Sequence, residues 1–212
     1  MSPLFGRKPE PIHDPERPPP TRPAQVFETL KRHDVEYLTI GGVAVQMHGH
    51  ERTTGDVDIV VRRSPENLAK LGRALEEMRA EIGGIDGHLV GVNPADPQQL
   101  YDGENFTLNT DAGPLDIWTN TESLPGSRPW EALADRGLSA HAHGTTIRVV
   151  GHDDLISLKR AAAEMPNRNP EKAATDRRDI DVLTARREDV ERAARELRSR
   201  KGPPPPERGI ER

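Results

Sequence analysis

The stretch between Ile40 and Val61 constrains this chain more than any other. Gly41-Gly42 closes an apolar run over 35–40, and Arg52-Thr53-Thr54-Gly55 leads into Asp56-Val57-Asp58-Ile59-Val60-Val61. The first run alternates and is rich in β-branched and aromatic residues, which predicts a strand. The second is an apolar run broken only by Asp58, a second strand. Residues i and i+2 of a strand face the same side, so Asp56 and Asp58 project together while Val57 and Ile59 turn to the apolar side. Two carboxylates held this close repel unless a cation sits between them. An all-oxygen pair suits Mg²⁺ or Mn²⁺, which also accept phosphate oxygens as ligands.

The surrounding sequence predicts the frame. Apolar Val26, Phe27 and Leu30 mark a helix over 24–33, and a short helix follows the glycines at 43–48. Ser64-Pro65-Glu66 starts a helix expected to run to about Ile82. Residues 85–103 carry no clear pattern. Strands at 106–109 and 115–118 are joined around Asp111-Ala112-Gly113 as a hairpin. A short helix at 130–135, a strand at 146–150 and a helix capped by Asp153 or Asp154 come next. Two further helices are expected at about 171–185 and 187–200. The fold class is α/β (α+β): a mixed sheet flanked by helices, with a helical C-terminal part.

The hairpin places a third acid, Asp116, between apolar Leu115 and Ile117 on a strand able to lie beside the first. An aspartate there suits a metal site and the removal of a proton from an attacking hydroxyl. Gly41-Gly42 reads in two ways: a tight turn needing positive φ, or a close approach of backbone to phosphate oxygens. Arg52 reads either as a forked phosphate donor or as one half of a salt bridge. Lys159 on the helix after Asp154 reads as a solvated lysine or as a point charge for a phosphate.

Composition sets the outer limits. Residues 1–23 hold eight prolines, and 202–212 read Gly-Pro-Pro-Pro-Pro-Glu-Arg-Gly-Ile-Glu-Arg. Both ends are expected to be disordered with local polyproline character, a form that SH3-type domains also bind. The remainder divides into a core at 24–151, a helical part of the same domain at 152–200, and a tail at 201–212. With no cysteine, disulfides and thiolate metal sites are excluded. No apolar run approaches the ~18 residues of a membrane span, so a soluble cytoplasmic protein is expected. The net charge of −5 offers no global attraction to nucleic acid. The arginines of 186–200 are interleaved with Glu188, Asp189, Glu191 and Glu196, a solvated face or a local basic surface. His141 with His143, and His48 with His50, lack a third metal ligand at a recognisable spacing.

Taken together, these residues resemble the DNA polymerase-β-type nucleotidyltransferase superfamily, whose signature is Gly-Gly or Gly-Ser, about 8–13 residues, Asp-x-Asp and a later acid. The chain is most similar to the AbiE-type and MenT-like branch of toxin nucleotidyltransferases. The residues in question are Gly41-Gly42-Val43-Ala44, Arg52-Thr53-Thr54, Asp56-Val57-Asp58, Gly113-Pro114-Leu115-Asp116 and Asp154-Leu155-Ile156-Ser157-Leu158-Lys159. Asp176-Arg177-Arg178-Asp179-Ile180 is similar to the stretch that ends such domains, although 164–175 is longer than usual and Thr175 replaces a common lysine. The resemblance spans about 24–185.

It implies metal-dependent transfer of a nucleoside monophosphate from an NTP, with Mg²⁺ or Mn²⁺ as cofactor. Asp56, Asp58 and Asp116 would hold the metal, with Asp116 completing the site or acting as base. Gly41, Gly42 and Thr54 would line the triphosphate, Arg52 would support that loop, Lys159 would contact the phosphates, and Asp176 would be a further site acid. The implied acceptor is tRNA or protein, with an antitoxin as partner. The same chemistry would also serve a small-molecule acceptor such as an antibiotic hydroxyl. A non-catalytic nucleotide-binding protein of this fold, and a purely structural protein, are the competing classes.

Overall fold

The computed structural model describes residues 20–83, 92–142 and 144–200, without the side chains of 194 and 197–200. The expectations for 1–19, 84–91 and 201–212, and for His143, lie outside the described residues. Helix α1 (Pro23–Arg32) leads to β1 (Tyr37–Ile40), α2 (Gly41–Met47) and β2 (Val57–Val61). Then come α3 (Pro65–Glu77), β3 (Glu81–Ile82), α4 (Pro97–Asp102), β4 (Asn105–Thr110) and β5 (Gly113–Trp118). The chain continues through α5 (Trp130–Arg136), β6 (Leu138–Ala142), β7 (Thr145–Val149), α6 (His152–Ala163) and α7 (Pro170–Arg200). No helix among the described residues is long and apolar enough to cross a membrane.

The strands form one mixed sheet in the order β3-β4-β5-β2-β1-β7-β6. β1 pairs antiparallel with β2 and parallel with β7, while β2 runs parallel to β5. The pairs β3–β4, β4–β5 and β6–β7 are antiparallel. The central strands are buried on both faces and therefore read as nearly continuous apolar runs. Val57, Ile59, Leu115, Ile117 and Ile147 are fully buried, joined by Phe27 and Leu30 from α1 and Leu68, Leu71 and Leu75 from α3.

A buried side chain fixes the entry to β1 and the exit from β2. Asn67 of α3 accepts from the Glu36 N–H at 2.7 Å and donates to the carbonyls of Glu36 and Arg62, each at 2.9 Å. The Glu36 N–H would otherwise be stranded at the edge of the core, whereas the two carbonyls also accept from the N–H groups of Arg62 and Ser64. The Ser64 side chain caps α3 by accepting from Asn67 N, as the sequence predicts.

Four expectations are corrected. α3 ends at Glu77, not near Ile82, because Arg79 adopts a φ of 49° and turns the chain into β3; Ile82 keeps helical spacing with Met78, which hid the break. The C-terminal part is one helix, α7, not two. Residues 171–200 contain neither glycine nor proline and are rich in alanine, arginine and glutamate, so nothing interrupts the helix. α2 begins at Gly41, two residues before its expected start, since the glycines form its first turn. Asp153 and Asp154 do not cap α6; Gly151 occupies that position without a side-chain bond. Buried Asp154 instead accepts from Arg136 at 2.7 and 2.8 Å and from Arg128 at 3.2 Å, tying α6 to α5.

Candidate active site

The β1–β2–β5 register assembles the acidic centre. Asp58 stands opposite Ile40 at the end of β1 and opposite Asp116 on β5. Asp56, at the mouth of β2, shares that face. One carboxylate oxygen from each of Asp56, Asp58 and Asp116 lies within 4.8 Å of the others, and no other group of three or more potential ligands converges so among the described residues. Three acids from two strands and the loop before them thus meet at one point, as the i, i+2 spacing and the hairpin predict.

Each of the two glycines stands where a Cβ would collide with a site side chain. Gly41 has a φ of +62°, and a Cβ there would fall 1.8 Å from Asp58 Oδ2. A Cβ at Gly42 would meet Thr54 Oγ1 at 2.3 Å and Arg52 Nη2 at 2.8 Å. The turn reading holds, since Gly41 needs a left-handed conformation, and the backbone there also passes against site side chains. The Gly42 N–H favours the charged form of the Asp58 carboxyl. Thr54 donates to Asp56 Oδ1 at 2.9 Å, fixing that carboxylate, and the Gln46 amide holds the Arg52 carbonyl to α2.

Mutual repulsion marks the electrostatics. Burial, then the charges of Asp56 and Asp116, push the Asp58 carboxyl up to about 7, against the opposing effect of Lys159 and the Gly42 N–H. Asp116 is also raised, by burial first; the Thr107 hydroxyl from the paired position on β4 and the Lys172 charge oppose the Asp56 contribution. Acids raised by burial and by one another would be relieved by a cation held between them. The donor set is hard carboxylate oxygen, which fits Mg²⁺ or Mn²⁺.

The helical layer closes the opposite wall. A cleft of approximately 1040 Å³ runs from the glycines and the triad to Lys159, Asp176 and Asp179. Lys159 is buried, with Nζ 2.8 Å from Asp176 Oδ1 and 3.0 Å from Asp179 Oδ2. Arg52 donates to the same Asp179 oxygen at 2.7 Å. Arg168 donates to Asp176 Oδ2 at 2.6 and 3.1 Å.

Every site residue predicted from sequence, Gly41, Gly42, Arg52, Thr54, Asp56, Asp58, Asp116, Lys159 and Asp176, lines this one cleft. Lys159 is neither solvated nor unpaired, and Arg52 pairs with a buried carboxylate. The sequence offered no sign of Arg168 or Lys172 in the cleft, because the α6–α7 connection brings them there; Trp118 was readable from its i, i+2 spacing with Asp116. Thr107 was readable in principle from the register opposite Asp116. Among the described residues the histidines join no metal cluster: His48 Nε2 lies 2.9 Å from Val150 O with its ring edge-on to His152, and His50 approaches Asp179 at 3.8 Å.

No protein-family model matches the chain, and no curated protein matches it. Solved structures do. A nucleotidyltransferase-like protein from Paracoccidioides brasiliensis superposes with a TM-score of 0.50 at 15% identity, covering 79% of this chain and 78% of that one. ANT(2")-Ia in complex with adenylyl-2"-tobramycin matches with a TM-score of 0.49 at 19% identity, over 84% of this chain and 95% of that one. The lincosamide adenylyltransferase LnuA, bound to lincomycin, gives 0.49 at 16% identity, over 78% and 97%. The fold is that of the nucleotidyltransferase-like structures.

Proposed function

We propose that this protein is a metal-dependent nucleotidyltransferase that moves a nucleoside monophosphate from an NTP to an acceptor hydroxyl. The observation that carries the reading is the convergence of Asp56, Asp58 and Asp116 within 4.8 Å, in a cleft that also holds the Gly41-Gly42 turn, Arg52 and Lys159. The nucleotidyltransferase-like fold agrees with it but does not by itself establish activity.

Asp56, Asp58 and Asp116 would hold Mg²⁺ or Mn²⁺. When bound, the cation supplies charge neutralisation and polarisation at the reacting phosphoryl group. The chain's own residues do the rest. Gly41 and Gly42 let the triphosphate approach the backbone, while Arg52 and Lys159 face its negative charge. Thr54 holds the Asp56 carboxylate in place. Asp116, paired with Asp58 across β2 and β5, takes the proton of the acceptor hydroxyl. The hydroxyl oxygen bonds to the α-phosphorus, the bond to the β-phosphate bridging oxygen breaks, and pyrophosphate leaves with that electron pair.

For the acceptor, the motif resemblance supports a hydroxyl of tRNA or protein and a role as the toxin of a toxin–antitoxin pair. A second reading, a small organic acceptor, is favoured by the apolar corner of the cleft formed by Trp118, Leu124, Pro125 and Met165. Purified protein incubated with Mg²⁺, each labelled NTP, and total RNA or a panel of small hydroxylated molecules separates them. Label on RNA or protein, abolished by Asp56→Ala/Asp58→Ala, supports the first acceptor class, and growth arrest by wild type alone supports the toxin role. Label on a small molecule supports the second. No transfer to any acceptor together with no NTP binding overturns both.

A further inference from the structure

Two buried aspartates in the cleft are not needed for the metal triad. Asp176 and Asp179 are 2% and 1% exposed on α7, and neither converges with Asp56, Asp58 and Asp116. Their oxygens are taken by cations. Asp179 Oδ2 serves both Arg52 Nη1, at 2.7 Å, and Lys159 Nζ, at 3.0 Å. Asp179 Oδ1 faces His50 at 3.8 Å, and Asp176 divides its oxygens between Lys159 and Arg168.

One oxygen shared by two cations has a consequence. Arg52 comes from the loop before β2 and Lys159 from the middle of α6, elements with no covalent reason to stay together. Two positive groups this close repel in a partly dry cleft. The Asp179 carboxylate offsets that repulsion and fixes their separation. The other arm of the same guanidinium, Nη2, lies against the Gly42 backbone, and the Lys159 charge is felt at Asp58. The pair thus stands between the glycine turn and the acidic centre, where the outer phosphates of a metal-bound NTP would lie.

We propose that Asp179 is a positioning residue: it yokes Arg52 and Lys159 into a single preassembled two-cation clamp for the β- and γ-phosphates. Asp176 seats the Lys159 amine from the other side. The inference rests on the nucleotidyltransferase reading and deepens it, since it gives Asp176 and Asp179 a role apart from the metal-binding acids. It also makes α7 a structural part of the donor site, joining the helical layer to the loop before β2.

The test separates the outer phosphates from the metal and from the chemical step. Pyrophosphate release is followed for wild type, Asp179→Asn, Arg52→Gln and the double variant. Calorimetry with NTP and with the corresponding NMP, and Mn²⁺ titration without nucleotide, complete the set. Asp179→Asn raises KM for NTP by roughly tenfold or more, the loss expected when charge-assisted contacts are misplaced. Its kcat stays within about threefold, as for loss of binding shared by ground and transition states. NMP and Mn²⁺ affinities do not change, and the double variant is little worse than Arg52→Gln alone, because both changes break one unit.

A fall in kcat with KM unchanged, a loss of Mn²⁺ affinity, or fully additive effects overturns the inference. Should Asp179→Asn not fold, Asp176→Asn carries the same test: a KM-only effect supports the clamp, and a loss of Mn²⁺ affinity overturns it. Wild-type protein that binds no NTP defeats the proposed function itself, whereas wild type that binds NTP beside variants with weakened Mn²⁺ affinity defeats the clamp alone.

Discussion

Replacing Asp58 by asparagine should make the metal-free protein more stable, although it removes a central site residue. In the folded chain the Asp58 carboxyl sits at about 7, against an ordinary value of 3.8. The sign follows from linkage. A raised acid pKa means that the folded state binds the proton more tightly than the unfolded state does. Folding is therefore unpenalised below about pH 4 and loses stability as pH climbs through the interval to about 7. Above that, a shift of ~3 pKa units corresponds to ~4 kcal/mol, an upper bound because the acidic neighbours titrate together. The substituted amide would carry no charge at any pH while keeping nearly the same shape beneath Gly41. In a chelator-containing buffer, Asp58→Asn should raise Tm at pH 8 by up to about 16 °C, on the scale of ~2–4 °C per kcal/mol for a domain this size. At pH 4 the gain should vanish. Added Mg²⁺ should stabilise wild type at pH 8 and leave the variant unmoved. Equal melting temperatures at pH 8, or a gain independent of pH, would refute the claim that crowded carboxylates destabilise this cleft.

Other perturbations address the frame. Gly41→Ala should abolish Mg²⁺-dependent stabilisation and destabilise the fold, with about 1–2 kcal/mol from the left-handed backbone alone and more from collision with Asp58; chemical denaturation with and without Mg²⁺ reads both. Thr39→Val should raise stability by ~1 kcal/mol, because the Thr39 hydroxyl is fully buried without a hydrogen-bond partner among the described residues, and a shift in the urea midpoint checks it. Asn67→Ala should cost about 1–3 kcal/mol in the same titration, since it strands the buried Glu36 N–H while the Glu36 and Arg62 carbonyls keep their backbone donors.

Much of the site was legible because strands and tight turns carry their geometry in short spacings. Asp56-x-Asp58 forces two carboxylates to one face, the hairpin around Gly113 delivers Asp116, and Gly41-Gly42 marks where the backbone must yield. What lay beyond reach depends on tertiary placement. Lys159 looked like an ordinary helix lysine until α7 brought Asp176 and Asp179 to it. Arg168 reaches the cleft only through the turn between α6 and α7, which no local pattern encodes. Arg79 ended α3 by taking a positive φ inside what still scanned as an amphipathic helix. The arginine- and glutamate-rich run after 185 misled in another way: its polarity suggested a new element, yet helix propensity simply carried α7 onward.

The central claim is that three aspartates and a two-cation wall make one metal–NTP site. Calorimetric titration of the full chain with a non-hydrolysable NTP analogue, in Mg²⁺ and again in chelator, tests it most directly. The account predicts saturable binding of one nucleotide per chain in Mg²⁺, lost in chelator and lost in Asp56→Ala/Asp58→Ala. Binding of equal strength with and without Mg²⁺, or undiminished in the double variant, would contradict it.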